Sequence, residues 1–189
     1  RWVSCGSSLK TLADAADAEE TRRRAGEIGA VHDPGAAVGA GLAIAMACDI
    51  RVMAQSAFLS TGYLNVALSG DYGIAWLLTR LVGTSRAREL MFTAERVNAA
   101  RCEAIGLVNR VVPDDRLAEE AFALAKSMAE GPTIALRYMK DNLDEALMFD
   151  FTTARDHEAE RMIRSQKTAD HREAVQAVID KRKPVFAGK

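Results

Sequence analysis

The chain has 189 residues, of which 49% are hydrophobic and 27% charged, and its formal net charge at pH 7 is −1. That length suits one domain, or one domain with a small appendage, and is enough to bury a sizeable core. The near-neutral balance excludes an electrostatic case for nucleic acid, and the longest apolar run, Ala36 to Cys48, is too short to cross a bilayer.

Trp2 to Lys10 holds a short apolar start and a small-residue turn, Ser4-Cys5-Gly6-Ser7-Ser8. From about Leu9 to Gly29 the Ala, Glu and Arg content predicts a helix with a thin apolar face and a solvated charged stretch. Only Val31-His32-Asp33-Pro34 then stands before Gly35, so the sequence offers no clear apolar strand ahead of the glycines. The Gly-rich stretch from Gly35 to Gly41 runs into Leu42-Ala43-Ile44-Ala45-Met46-Ala47-Cys48, a helix with no polar face until Asp49. A helix start emerging from glycines presents amides without intrahelical partners, suited to an anion or a developing oxyanion. Equally, the glycines could serve only to pack a core helix closely.

Ile50 to Ala54 alternates like a strand, and Phe58 to Ser60 reads as a second. Asp71 to Val82 is predicted helical, with Ile74, Leu77, Leu78 and Leu81 on one face. Thr84 or Ser85 suits the cap of the next helix, through Phe92, and Asn98 the cap of another ending at Gly106. Val108 to Val112 reads as a strand stopped by Pro113. The last third is helical: Leu117, Ala121, Leu124 and Met128 line one helix. Leu136, Met139, Leu143 and Ala146 point inward on the next. A mostly charged helix from Asp150 to Arg164 carries a narrow stripe of Phe151, Ala154, Met162 and Ile163 that could face a neighbouring subunit. Thr168 caps a final helix through Asp180. Strands interleaved with helices and followed by a helical end indicate an α/β class.

Cys5, Cys48 and Cys102 are odd in number and have no metal-ligand rhythm. They read as small buried hydrophobes in a reduced cytoplasm, and no metal is expected. His32, His157 and His171 lie in polar, exposed contexts and form no triad. No secretory signal, P-loop, dinucleotide fingerprint or G-x-S-x-G elbow is present.

Gly35-Ala36-Ala37-Val38-Gly39-Ala40-Gly41-Leu42, followed by Ala45-Met46-Ala47-Cys48-Asp49-Ile50-Arg51, closely resembles the signature of the enoyl-CoA hydratase/isomerase family, the crotonases. Leu77 to Gly83, Ala87-Arg88-Glu89-Leu90, Ala104 to Pro113 and Lys181-Arg182-Lys183-Pro184 resemble it in the same order. The resemblance implies a crotonase-like (ClpP/crotonase) ββα spiral over residues 1–113, with a helical trimerisation region over 114–189. It further implies a homotrimer or dimer of trimers, an acyl-CoA thioester as substrate, no permanently bound cofactor, and no nucleic-acid or membrane partner. Two backbone amides would grip the thioester oxygen, matched here by Cys5 and Ala40; Cys5 as a nucleophile is the disfavoured alternative. Gly6, Gly39, Gly41, Gly62 and Gly70 would lie along the substrate, with Lys181, Lys183 and Phe186 near the CoA nucleotide.

Departures from the family pattern narrow the chemistry. The two glutamates of the hydratases are replaced by Ala43 and Gly62, neither of which can carry a proton. One acid remains in place, Asp71, in a turn where some isomerases and an aryl-CoA dehalogenase carry a lone Asp. It is the acid–base of a proton shift, a nucleophile on an activated ring, or a helix cap. Tyr63, Tyr72 and Asn65 are candidates to orient substrate. Ser8 replaces the Asp usual in the first oxyanion turn. The chain opens on Arg in sequence that reads as mid-domain, so the spiral is expected to lack its N-terminal part, the first hairpin and much of the adenine pocket. Isomerisation or a related lyase reaction is favoured over hydration. A non-catalytic acyl-CoA binder or an inactive fragment is the alternative.

Overall fold

The computed structural model describes residues 2–4, 28–31 and 35–189, the first two segments through their backbone. Two parallel-rich sheets grow together along the chain. Strands β1 (Trp2–Ser4), β2 (Ile28–Val31), β4 (Ile50–Ala54) and β7 (Arg110–Val112) form one sheet in the order β1-β2-β4-β7, every pair parallel. Strands β3 (Ala36–Val38), β5 (Phe58–Ser60) and β6 (Val97–Asn98) form the other, with β3 and β5 parallel and β5 and β6 antiparallel. The chain thus alternates between the two sheets, with helices returning it.

The strand that the sequence did not signal ahead of the glycines exists. Ile28-Gly29-Ala30-Val31 pairs on both sides, Ile28 opposite Ile50 and Trp2 opposite Ile28. Ile28 and Gly29 therefore belong to a strand and not to the helix expected to reach them. Two parallel ladders satisfy a backbone whose side chains carry a weak strand signal. Likewise, the stretch read as a glycine turn contains β3.

Helix α1 (Ala40–Met46) begins directly after Gly39 and buries Leu42, Ala43, Ala45 and Met46. Ile44 is only partly covered, so the helix is not enclosed on every side. Arg51, 5% exposed, secures its far end: Nε donates to the Leu107 carbonyl at 2.9 Å, and Nη1 donates to the carbonyls of Met46 and Cys48. Burial pulls the Arg51 pKa below its ordinary value, opposed by Cys48 and Asp49 nearby.

Helix α2 (Ile74–Val82) starts three residues later than expected, because Tyr72 and Gly73 take left-handed backbone, φ 48° and 72°. Helix α3 (Thr84–Thr93) is preceded by Gly83 and has no side-chain cap, so neither Thr84 nor Ser85 plays the expected role. Asn98 does cap α4 (Ala99–Ala104), accepting from the Arg101 amide at 2.9 Å. Strand β7 is two residues shorter than predicted, since the Val108 amide instead bonds the Cys102 carbonyl.

The first compact unit reaches Ala123, inside helix α5 (Leu117–Ala129), whose Leu117 and Ala121 are fully buried. The second, Leu124 to Lys189, holds α6 (Thr133–Ala146), α7 (Phe151–Gln166) and α8 (Ala169–Ile179). Here the expected inward face of α6 is overturned. Met139 and Leu143 are 57% and 70% exposed, while the polar face of α6 meets α7. Arg161 donates to Asn142 at 2.9 Å and to Glu145, and His157 Nδ1 lies 2.7 Å from Glu145 Oε2. His157 is thus paired rather than free in solvent. Thr168 caps α8 through the His171 amide, at 3.0 Å.

Candidate active site

Parallel strands β3 and β5 end side by side, which brings the segments leaving them to one place. Beyond Val38 the ladder continues for one step, with the Gly39 amide donating to the Ser60 carbonyl at 3.2 Å. Gly39 then turns with φ 58°, so the Ala40 amide opens α1 and has no intrahelical acceptor. After β5, Thr61 and Gly62 lead into a 3-10 turn, Tyr63–Val66. Thr61 fastens this segment to α3 by donating to the Leu90 carbonyl at 2.9 Å, and Ser60 donates to the Ala94 carbonyl at 2.9 Å.

Tyr63 spans the gap between these parts. Its ring lies against Gly39, where an added Cβ would stand 3.8 Å from Cζ and 3.7 Å from the Thr61 carbonyl oxygen. Its hydroxyl donates to Asp71 Oδ1. Burial, followed by this bond, pushes the phenol up to about 12, so Tyr63 remains a donor throughout the neutral range. Asp71 itself is exposed, and its carboxylate does not cap α2: the residue before that helix is Gly73, with no side-chain cap. Only the Asp71 main-chain carbonyl serves the helix, accepting from the Ile74 amide at 3.0 Å.

Of the predicted site residues, Gly39, Ala40, Gly62 and Asp71 therefore gather around Tyr63. Ala43 is 1% exposed in the core and Gly62 adopts φ 71°; neither residue carries an ionisable group. Gly41 lies in the first turn of α1, and Gly70, at φ 116°, begins the bend that carries Asp71. Tyr72 is exposed beside Asp71, and Asn65 is exposed within the 3-10 turn. Cys5, Gly6, Ser8 and His32 lie outside the described residues.

Lys181, Lys183 and Phe186 belong to the second unit. There the closing segment folds onto the start of α8: the Ala187 and Gly188 amides donate to buried Asp170 at 2.7 and 3.0 Å. Arg182 pairs with Glu173, and both lysines are exposed while Phe186 is half-buried. Among the described residues there is no cluster able to hold a metal ion, and no helix is long and apolar enough to cross a membrane. Cys48 and Cys102 are buried, as expected. Burial pushes the Cys102 thiol up to about 12.

Residues 28–189 match the family model described as Enoyl-CoA hydratase/isomerase. A short-chain-enoyl-CoA hydratase of Clostridioides difficile is 38% identical over 135 residues, covering 71% of this chain and 87% of the relative. A 1,2-epoxyphenylacetyl-CoA isomerase of Escherichia coli is 34% identical over 155 residues, covering 82% and 59%. A probable enoyl-CoA hydratase of Mycobacterium tuberculosis is 37% identical, and the chain spans 56% of its length. Among solved structures, an enoyl-CoA hydratase from Polaromonas superposes with TM-score 0.84 at 31% identity, covering 95% of this chain and 69% of that one. The chain belongs to the enoyl-CoA hydratase/isomerase family and has its crotonase fold.

Proposed function

We propose that this protein processes acyl-CoA thioesters through an enolate, moving a proton or double bond rather than adding water. The observation that carries the reading is the pairing of one free-standing carboxylate, Asp71, with the Gly39–Ala40 turn through Tyr63, while Ala43 and Gly62 offer no second acid. The Ala40 amide and, by resemblance, the Cys5 amide would receive the thioester oxygen. Each such donor is worth roughly 2.7–4 kcal/mol in the transition state.

With the carbonyl polarised, Asp71 takes a proton from the adjacent carbon. The C–H electron pair moves into the thioester as an enolate, and the same carboxyl returns the proton two carbons further on. Proton and electron pair balance within the substrate, so no resident cofactor is required. Hydration would need a second group to activate water, which Ala43 and Gly62 cannot supply. Gly39, Gly41, Gly62 and Gly70 allow the substrate a close approach, and Lys181, Lys183 and Phe186 are proposed to meet the CoA nucleotide. By resemblance the assembly would be a homotrimer or dimer of trimers, and the exposed apolar residues of α6 and α7 offer it a contact surface. Buried cysteines that form no disulfide suit a cytoplasmic setting.

The test compares wild type with Asp71→Asn on 3-enoyl-, 2-enoyl- and arylacetyl-CoA, with proton exchange beside the thioester of hexanoyl-CoA followed in D2O. Exchange and turnover in wild type, both lost in the variant, are expected. Equal rates remove Asp71 from the mechanism. Binding of acyl-CoA with no exchange would establish the alternative, a non-catalytic binder, which the loss of both glutamates favours.

A further inference from the structure

We infer that Tyr63 is the positioning residue for Asp71, holding Oδ1 so that Oδ2 alone faces the substrate. The inference rests on the reading of Asp71 as the acid–base and deepens it. Three observations converge. The Tyr63 hydroxyl donates to Asp71 Oδ1. Tyr63 is 7% exposed, with its ring packed against Gly39, the residue before the proposed oxyanion amide of Ala40. The Tyr63 main chain is itself fixed, its amide donating to the Thr61 carbonyl and its own carbonyl accepting from the Leu68 amide at 3.0 Å.

An exposed carboxylate on a bend of left-handed residues would otherwise sample several rotamers. The bond to a buried phenol selects one, and the ring of that phenol rests on Gly39, the residue that precedes Ala40. Tyr63 thereby sets the distance between the group that moves the proton and the amide that holds the enolate oxygen. During the proton shift the phenol keeps its own proton and stays bonded to Oδ1. The transferred proton breaks from the substrate carbon, sits on Oδ2 and leaves to the second carbon.

Tyr63→Phe retains the ring against Gly39 and removes only the hydroxyl. Loss of the hydrogen bond that orients the carboxylate predicts a fall in kcat of about 10- to 100-fold, with KM little changed and the circular dichroism of the folded protein retained. The activity probes are trans-3-hexenoyl-CoA turnover and hexanoyl-CoA exchange in D2O. Independently of activity, tyrosines labelled with 13C at Cζ give three signals, from Tyr63, Tyr72 and Tyr138. The one absent from Tyr63→Phe is expected to move in Asp71→Asn at pH 8. An unmoved signal overturns the inference, as does wild-type kcat in Tyr63→Phe alongside an inactive Asp71→Asn. Full activity in Asp71→Asn, or no exchange in wild type, instead overturns the acid–base reading and the inference with it.

Discussion

Val38 occupies the space into which any side chain on Gly62 would project: a Cβ built there would lie 2.5 Å from Val38 Cγ1. Gly62 also sits at φ 71°, where a side chain is strained whatever the space. Position 62, matched by resemblance to a glutamate of the two-acid hydratases, is therefore closed by packing as well as by composition. Gly62→Glu is expected to destabilise the protein by about 2–4 kcal/mol, from overpacking and left-handed strain together. Adding Val38→Ala should recover the steric part only. Urea midpoints of the three proteins check this, and Ala43→Glu with Gly62→Glu should not yield a hydratase.

Arg51 is the buried cation that closes the far end of α1. It joins the helix end to the Leu107 carbonyl, while its own amide donates to Asn109 Oδ1 at 2.8 Å. Arg51→Met keeps the stem but leaves the carbonyls of Met46, Cys48 and Leu107 without their donor. Buried carbonyls abandoned in this way cost about 1–3 kcal/mol each, so a loss of roughly 3 kcal/mol or more is expected. Because α1 begins at Ala40, the variant should also weaken acyl-CoA binding, read by calorimetry at a temperature where it remains folded.

Local signals carried much of this fold and less of its assembly. Ile50–Ala54, Phe58–Ser60 and the caps at Asn98 and Thr168 were legible because alternation and capping are written within a few residues. Strand β2 was not, since Ile28-Gly29-Ala30-Val31 owes its conformation to partners at Trp2–Ser4 and Ile50–Met53, both distant in sequence. The same holds at the site. Asp71 stood out as a lone acid, but its bond to Tyr63 crosses a 3-10 turn and a left-handed bend, for which the chain has no periodic signature. Arg51 was visible in the motif, yet its burial results from Leu107 meeting the end of α1.

Glu145 links α6 to α7 and predicts an acid-dependent stability. Arg161 and then His157 hold its carboxyl at about 2, below the ordinary 4.5. A carboxylate with a depressed folded-state pKa stabilises the native form above its unfolded value, and that contribution disappears as pH falls from 4.5 towards 2. Wild type should therefore lose more stability than Glu145→Gln between neutral pH and pH ~3. Urea midpoints at several pH values measure the difference; parallel acid limbs would show that the pair contributes nothing.

The apolar residues of α6 and α7 make the last prediction, on assembly. Met139, Leu143, Leu147, Met148 and Phe151 are 57%, 70%, 58%, 67% and 79% exposed, on or between helices whose mutual contact is polar. Large exposed side chains of this kind are candidates for a contact between subunits, and cyclic symmetry would let one such surface serve every subunit. Leu143→Glu places a charge where that contact would bury it. The expected outcome is a smaller assembly by light scattering, with the helical circular dichroism retained because Leu143 contributes little within its own chain. A wild type that is monomeric at micromolar concentration, or a Leu143→Glu protein of unchanged mass, would remove this face from the assembly.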